Sequence, residues 1–191
     1  MLTMQAAYIH PTADVEEGVN IGPETRVWHQ THIRRNAQLG TGCNLGKNVF
    51  VDEDVTIGNG VKIQNNVSVY RGVSIEDDVF VGPSAVFTND LRPRAANPSW
   101  TITPTRIRHG ASIGANATIV CGIEIGPYAM IAAGAVVTRT VAAHQLVMGN
   151  PARPAGWVCA CGELLSRAPE QPEEIRCAAC LATQVDELHA V

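Results

Sequence analysis

Aliphatic residues recur every six positions along most of this chain. A small or β-branched residue follows four positions after each of them, and glycine often comes directly after, as at Gly40 and Gly58. Six is neither the helical period of 3.6 nor the plain alternation of a long flat strand. The series consists of Ile9, Val15, Ile21, Val27, Ile33, Leu39, Leu45, Val51, Ile57, Ile63, Val69, Ile75, Val81 and Phe87, and later of Ile107, Ile113, Ile119, Ile125, Ile131 and Val137.

This period predicts very short strands joined by sharp corners. Glycine and asparagine tolerate the left-handed backbone region that a sharp bend requires. Aliphatic side chains at one step of the period would point inward and stack on their equivalents one coil away, where β-branched residues pack well. The pattern therefore predicts a parallel β-solenoid over residues 9 to about 141, in which each coil pairs only with its neighbours.

Several segments of the series resemble the hexapeptide-repeat acyltransferases: IGPETRVWHQTHI, IGNGVKIQNNVSVYRGVSI, IGANATIVCGIEIG and AGAVVTRTV with MGNPAR. That family folds as a left-handed parallel β-helix with three hexads to each coil, and it works as a homotrimer. The resemblance implies an all-β domain of a little over six coils in residues 1–157. The left hand and the trimer rest on the resemblance alone, because crossovers between parallel strands are normally right-handed.

The period stops after Phe87 and returns at Ile107, which predicts that residues 88–106 project from the coil as a loop. Insertions between repeats are common places for binding function. The loop contains three prolines, which reduce the entropy lost on ordering, together with Arg92, Arg94 and Trp100. Two guanidinium groups beside an aromatic ring suit an anionic ligand that contains a ring.

The loop sequence VFTNDLRPRA, followed by PTRIRHGASIGANATIVCG, is similar to bacterial N-acetyltransferases that acetylate the 3-amino group of nucleotide-linked sugars. In these enzymes the asparagine of FTN contacts the reacting amine, a role that falls on Asn89. The segment RVWHQTHI further resembles the branch acting on UDP-2-acetamido-3-amino-2,3-dideoxyglucuronate, a precursor of O-antigen and other cell-surface polysaccharides. A dTDP-3-amino-deoxyhexose remains the alternative substrate, because the TND form of the loop occurs with both.

Further candidates surround this predicted site. His29 and His32 are candidate general bases because histidine titrates near neutral pH, and we place them about two coils from the loop. Tyr70 joins Arg92 and Arg94 as a candidate substrate contact. Asn89 could instead only cap the exit from the coil, and the two histidines could be ordinary exposed side chains.

Acetyl-CoA is the co-substrate that the resemblance implies. The family places basic residues near the phosphates of the coenzyme, and the matching positions are Arg139 and Arg153. Gly114, Ala132 and Ala133 would let the pantetheine arm lie against backbone, although the repeat itself also requires small residues there.

Composition changes after residue 157, where a small cysteine-rich segment, residues 158–191, is predicted. It contains a C-x-C pair and a C-x-x-C pair, formed by Cys159, Cys161, Cys177 and Cys180. Four thiolates at such spacing can surround a tetrahedral zinc ion. The pattern departs from the usual zinc knuckle in two places. The first cysteine pair has the spacing C-x-C, and Leu181 follows the second pair where glycine is common.

Bulk properties narrow the function classes. A net charge of −4 does not favour binding to nucleic acid or to an anionic membrane. No apolar run is long enough for a membrane span and no signal peptide is recognisable, so we expect a cytoplasmic protein without membrane partners. A γ-carbonic-anhydrase-like metalloenzyme would share the solenoid. It needs three histidines around zinc, and residues 107–145 offer only His109 and His144.

Overall fold

The computed structural model describes residues 5–183, which form a parallel β-helix followed by a small tail. Residues 184–191 of the predicted cysteine-rich segment lie outside the described residues. The strands within the described range are β1 (Tyr8–Ile9), β2 (Asp14–Val15), β3 (Asn20–Ile21), β4 (Arg26–Val27), β5 (His32–Ile33), β6 (Gln38–Leu39), β7 (Asn44–Leu45), β8 (Phe50–Val51), β9 (Thr56–Ile57), β10 (Lys62–Ile63), β11 (Ser68–Val69), β12 (Val73–Ile75), β13 (Phe80–Val81), β14 (Val86–Phe87), β15 (Thr105–Ile107), β16 (Ser112–Ile113), β17 (Thr118–Ile119), β18 (Glu124–Ile125), β19 (Met130–Ile131), β20 (Val136–Val137), β21 (Gln145–Met148), β22 (Arg153–Val158) and β23 (Leu164–Ser166). One short helix, α1, spans Ala178–Thr183.

Each strand from β1 to β17 pairs in parallel with the strand three places later, so three strands make one coil. The strands fall into three sheets, which begin β1-β4-β7, β2-β5-β8 and β3-β6-β9 in order away from the N-terminal end. Ile63 lies opposite Leu45 in the coil before it and opposite Val81 in the coil after it. The predicted parallel β-helix is confirmed.

The hexad residues form the core. Ile57 and Ile63 are only 2% and 0% exposed, and the positions four residues after each hexad residue are also buried, as at Val61 and Val67. Ile9, in contrast, is 43% exposed, because in the described structure the first coil has a neighbouring coil on one side only. Aliphatic side chains fill the core over most of its length.

The corners use residues that accept positive φ angles. Asn48 and Asn66 have φ of 59° and 63°, and Gly60, at an equivalent corner, has φ of 65°. Asparagine and glycine adopt this left-handed region at little cost. The corner chemistry expected from the repeat is therefore present.

The complete coils end at Val141, at the end of the predicted range of residues 9 to about 141, and counted as three strands to a coil they number seven rather than a little over six. The last complete coil ends at Val141, which bridges to Ile125, and β21 then begins another by placing Val147 opposite Ile131. In both pairs the partners are slightly closer in sequence than in the regular coils, so the final turn is shorter than the others. A search for a strict period of six stops at Val137 and misses it.

The predicted loop of residues 88–106 is slightly too long. Thr105 and Arg106 belong to β15, where they pair with Val73 and Ser74, so the loop spans residues 88–104. Thr105 pairs with Val73, two residues before the hexad residue Ile75, so a count of hexad residues resumes only at Ile107. Because Ile75 pairs directly with Ile107, the whole loop is inserted within a single coil and leaves the stack of strands intact.

The chain leaves the regular coils through an antiparallel hairpin. β22 pairs antiparallel with β21 and β23 pairs antiparallel with β22, which extends the first sheet at its C-terminal end. Trp157 on β22 donates from Nε1 to the carbonyl oxygen of Ala168 at 3.2 Å. No helix in residues 5–183 is long and apolar enough to cross a membrane.

Candidate active site

One corner of the β-helix, which we call the Asn89 edge, collects several predicted site residues. It follows the second strand of each coil, and the strand register stacks Phe87 on Ile119 and Ile119 on Val137. Two residues further along, the same register stacks Asn89, Cys121 and Arg139. Neighbouring strands lie about 4.8 Å apart, so Asn89 and Arg139 are roughly 10 Å apart along the axis. The edge consists of Glu17, Arg35, Glu53, Arg71, Asn89, Cys121 and Arg139.

Asn89 stands at the neck of the loop, where the chain leaves the coil. Its carbonyl oxygen accepts a hydrogen bond from Thr103 N at 2.9 Å, which closes the neck where the chain returns. Its Nδ2 donates to the carbonyl oxygen of Arg71 at 3.2 Å, one coil earlier. A carbonyl can only accept, so the amide nitrogen must face the coil and Oδ1 must turn away from it.

The loop encloses a pocket of about 300 Å³ beside this neck. Arg92 lines it, and Asp90 Oδ1 accepts a hydrogen bond from Arg92 N at 2.8 Å, which fixes the start of the loop. Leu91 and Trp100 supply apolar walls, and the Trp100 side chain is 51% exposed. Arg94 is not among the residues that line this pocket, and its Nη1 donates to the carbonyl oxygen of Pro93.

Tyr70 precedes Arg71 and lies one coil from Thr88. Its ring is in contact with Phe50, with centroids 6.0 Å apart, and the Phe50 ring is in turn 5.5 Å from that of His32. These three rings form a row on the outer face of the second sheet. Tyr70 is 39% exposed beside the Asn89 edge, where a bound ligand could reach it.

The two candidate histidines lie farther from Asn89 than the two coils expected. His32 is on β5, which is three strand steps from β14, or about 14 Å along the axis. Its Nε2 is 2.9 Å from Glu16 Oε1. His29 occupies a different corner and stacks on His10 with ring centroids 3.5 Å apart. Within one chain, neither histidine is brought to Asn89.

Arg139 and Arg153, the two arginines assigned to the coenzyme phosphates by resemblance, lie at one pocket. Both line a single pocket of about 150 Å³ at the C-terminal end of the β-helix, together with Thr138, Gln145 and Ala152. Arg139 is at the end of the Asn89 edge, and Arg153 begins β22, so the turn back along β21 creates the pair. Two guanidinium groups in one small pocket suit a phosphate or diphosphate.

The small residues predicted to line the pantetheine arm lie at another corner. Gly114 follows the first strand of its coil, and a Cβ there would come within 2.4 Å of Ala133 N in the next coil. Ala132 N donates to Val147 O and thereby continues the same stack. Packing of coil on coil explains the small size of Gly114, Ala132 and Ala133 by itself.

A row of ion pairs supports the Asn89 edge from the N-terminal side. Arg71 contacts Glu53 and Asp54 at 2.9 and 3.0 Å, and Arg34 contacts Asp52 at 2.7 Å. Burial alone would raise the pKa of Asp52, but hydrogen bonds from the N–H groups of Glu53 and Arg71 and the contact with Arg34 lower it overall. Asp52 therefore holds the backbone at Arg71, whose carbonyl positions Asn89.

The four cysteines of the tail form a cluster. All four Sγ atoms lie within 4.8 Å of one another, and Cys161 and Cys177 are separated by 3.6 Å. Burial of Cys159 favours its thiol, but N–H groups of Cys161 and Cys177 point at its sulfur and help to lower its pKa to about 7. Within residues 5–183 this is the only group of three or more such ligands close enough to share a metal ion.

His109 and His144 do not form the three-histidine site of a carbonic anhydrase. Tyr128 lies between them, with its hydroxyl 3.0 Å from His109 Nε2 and its ring stacked on His144 at 5.0 Å. His144 Nδ1 is in turn 3.0 Å from the carbonyl oxygen of Val158. Aromatic packing of the C-terminal coils accounts for this row.

Sequence reasoning missed Arg71 and Thr103, which hold the neck of the loop. Arg71 could have been found by counting back one coil from Asn89. Thr103 carries no such signal, because the length of the loop decides which residue returns to the coil.

Comparison with known proteins places this architecture in a family. Residues 54–89 and 104–139 match the family described as bacterial transferase hexapeptide (six repeats), and residues 32–71 match the hexapeptide repeat of succinyl-transferase. The gap between the first two ranges coincides with the projecting loop. The fold and these matches define a hexapeptide-repeat transferase.

A curated relative gives a narrower class. The chain is 45% identical over 157 residues, covering 82% of this chain and 81% of the relative, to the dTDP-3-amino-3,6-dideoxy-alpha-D-galactopyranose 3-N-acetyltransferase of Aneurinibacillus thermoaerophilus. The chain belongs to the hexapeptide-repeat nucleotide-sugar N-acetyltransferases and is an N-acetyltransferase.

Solved structures agree on the fold. A hexapeptide-repeat acetyltransferase of Vibrio cholerae O1 biovar eltor, complexed with acetyl coenzyme A, is 29% identical with a TM-score of 0.54, covering 60% of this chain and 67% of that one. The acetyltransferase domain of PglB from Neisseria gonorrhoeae FA1090, also with acetyl coenzyme A, has a TM-score of 0.57 at 21% identity. It aligns over 79% of this chain, which spans 58% of the length of the PglB chain.

Proposed function

We propose that this enzyme transfers the acetyl group of acetyl-CoA to the 3-amino group of a dTDP-linked 3-amino-deoxyhexose. The observation that carries the proposal is the 45% identity to a dTDP-sugar 3-N-acetyltransferase over four fifths of both chains. This replaces the UDP-glucuronate derivative that the segment RVWHQTHI favoured, and the alternative substrate class becomes the main one.

The arrangement of the Asn89 edge supports this chemistry. The arginine pocket at its C-terminal end would bind the phosphates of acetyl-CoA, and the loop pocket would bind the sugar nucleotide. The amine attacks the thioester carbonyl, the C–S bond breaks, and coenzyme A leaves as the thiolate, which takes up the proton released by the new amide. Asn89 Oδ1 would accept a hydrogen bond from the amine and orient its lone pair toward the thioester.

A strong general base is not required. An amine on an oxygen-substituted sugar ring is less basic than lysine, with a pKa of about 8 by analogy with an α-amino group. A useful fraction is then neutral at pH 7, so positioning would provide most of the rate enhancement. This agrees with the distance between the two candidate histidines and Asn89 within one chain.

The apolar walls of the loop pocket favour a deoxyhexose over a uronate. Leu91 and Trp100 offer apolar surface to the methyl carbon of a 6-deoxy sugar, which a uronate lacks. A competition assay decides between the two substrates. The enzyme receives equal amounts of dTDP-3-amino-3,6-dideoxygalactose and UDP-2-acetamido-3-amino-2,3-dideoxyglucuronate with limiting acetyl-CoA.

The ratio of the two products gives the ratio of their kcat/KM values. We expect the dTDP product to exceed the UDP product by at least about tenfold, a difference of roughly 1.4 kcal/mol. An excess of the UDP product would restore the glucuronate assignment.

We further propose that the active unit is a homotrimer in which a neighbouring chain completes each site. Tyr70 and Val86 expose 39% and 46% of their surface beside Asn89, and contact with another chain would cover such apolar area. Light scattering should give three times the 20.3 kDa chain mass, and a monomeric mass at micromolar concentration would contradict the trimer.

A further inference from the structure

The four thiols of the tail have the geometry of a site for one metal ion. A tetrahedral ion bonded to four sulfurs at about 2.3 Å places those sulfurs about 3.8 Å apart. All four Sγ atoms lie within 4.8 Å of one another, and the Cys161–Cys177 pair is 3.6 Å apart. The cluster therefore needs only small adjustments to surround one ion.

The backbone around the cluster is shaped to present the sulfurs. After β22 the chain makes a tight turn in which Cys159 N donates to Glu163 O at 2.9 Å and Gly162 N donates to Cys159 O at 2.8 Å. Cys177 N donates to Cys159 Sγ at 3.3 Å, a contact that stabilises a thiolate ligand. Cys180 comes from α1, so the four ligands join two segments that are distant in sequence.

Other uses of four cysteines fit less well. A disulfide would need sulfurs about 2.05 Å apart, whereas the six cysteines are all free. In an iron–sulfur cluster the four thiolates are divided among two or four iron atoms, which spreads the sulfurs more widely than one shared ion does. A tetrahedral all-thiolate site is characteristic of structural zinc.

We propose that Cys159, Cys161, Cys177 and Cys180 bind a single structural zinc ion that clamps the end of β22. Arg153 begins this strand in the arginine pocket, and Cys159 directly follows its last residue, Val158. Fixing the far end of β22 against the tail keeps the strand paired with β21. If the proposed function is correct, the ion thereby also supports the coenzyme pocket from outside the reaction itself.

The test compares metal content in the full chain purified without chelators. Cys161→Ser and Cys180→Ser remove ligands that lie outside the β-helix core. Cys43→Ala is the matched control: it removes a buried thiol at a core position where other coils place alanine, as at Ala37 and Ala85. We expect about one zinc ion per chain in the parent and the control, and less than about a fifth of an ion in either serine variant.

Hydrogen–deuterium exchange supplies a readout of the clamp. Amide protons of β22 should exchange faster in the two serine variants than in the parent, while those of β10 in the central coils should be unchanged. Zinc absent from the parent even after incubation with zinc sulfate would overturn the proposal, as would stoichiometric iron in its place or full retention of zinc in both serine variants. Because the assay needs no substrate, a failure of the zinc proposal is separate from a failure of the proposed function.

Discussion

Asn89 donates from its side-chain Nδ2 to the carbonyl oxygen of Arg71 at 3.2 Å, one coil below it. This contact sets the direction of the carboxamide and leaves Oδ1 without a donor among the described residues. Arg71 is itself fixed by contacts of its side chain with Glu53 and Asp54. A neutral hydrogen-bond acceptor is thus held rigidly at the neck of the loop, where an amine can be oriented without competition from a charge.

Replacing Asn89 tests this assignment. Asn89→Ala should lower kcat/KM for the sugar nucleotide by about 100- to 1000-fold, because it removes a positioning contact at the transition state. The affinity for acetyl-CoA should stay near normal, since the arginine pocket is not altered. Steady-state kinetics and a binding titration measure the two effects.

Asn20→Ala is the matched control for that substitution, because Asn20 is an exposed asparagine on β3 whose side chain bonds to the neighbouring Gln38 side chain. It should leave turnover unchanged. Turnover close to that of the parent in Asn89→Ala would remove Asn89 from the mechanism.

The arginine pocket makes a separate prediction. Arg139→Ala and Arg153→Ala should each raise KM for acetyl-CoA by about tenfold or more, because each would remove a charged hydrogen bond to phosphate. The KM for the sugar nucleotide should change much less. Arg106→Ala, on the exposed face of β15, is the control; an equal change in all three variants would argue against a phosphate site.

Stability should depend on which side of a strand is changed. Ile63 is fully buried and Lys62, beside it on β10, is exposed. Ile63→Ala should lower the free energy of unfolding by about 2–5 kcal/mol through loss of apolar contact and the cavity left behind. Lys62→Ala should stay within about 0.5 kcal/mol. Urea unfolding measures both, and similar losses from the two substitutions would contradict the inward hexad.

Asp52 should make the free energy of unfolding depend on pH, because its carboxylate takes part in the ion pairs that support the Asn89 edge. Its pKa is lower in the folded chain, so the carboxylate stabilises the fold above its unfolded pKa of about 4, and this stabilisation is lost as the pH falls through the folded pKa. Asp52→Asn should therefore destabilise the protein at pH 7 and make less difference as the pH falls below about 4. Asp14→Asn, at an exposed carboxylate, is the control; a difference for Asp52→Asn that grows toward acid pH would refute the role.

Much of the fold could be predicted because every coil repeats the same requirement for buried aliphatic residues at the hexad positions. Ile57 and Ile63 must be buried once the period is recognised, and both are. The further turn at β21 escaped because Val147 pairs with Ile131, less than one regular coil earlier, which a count of six does not register. Thr105 escaped because it lies two residues before Ile107, at a position that a count of hexad residues does not include.

The site was less predictable than the fold. Arg139 and Arg153 line one pocket because the residues between them form a compact turn and strand, and their role toward the coenzyme stays a prediction. His32 and Asn89 do not lie together, because the number of coils between them follows from strand register and the expected separation was one coil too short. Site residues that a second chain would contribute cannot be predicted from the periodicity of a single sequence.

The most direct test of the account is turnover itself. The purified 191-residue chain is incubated with acetyl-CoA and dTDP-3-amino-3,6-dideoxygalactose, free thiol release is followed with time, and the product is examined by NMR. We expect catalytic release of coenzyme A and a single new acetamide on the nitrogen at C3 of the sugar. Acetyl-CoA binding without acetylation of any 3-amino nucleotide sugar, or acetylation at an oxygen, would contradict it.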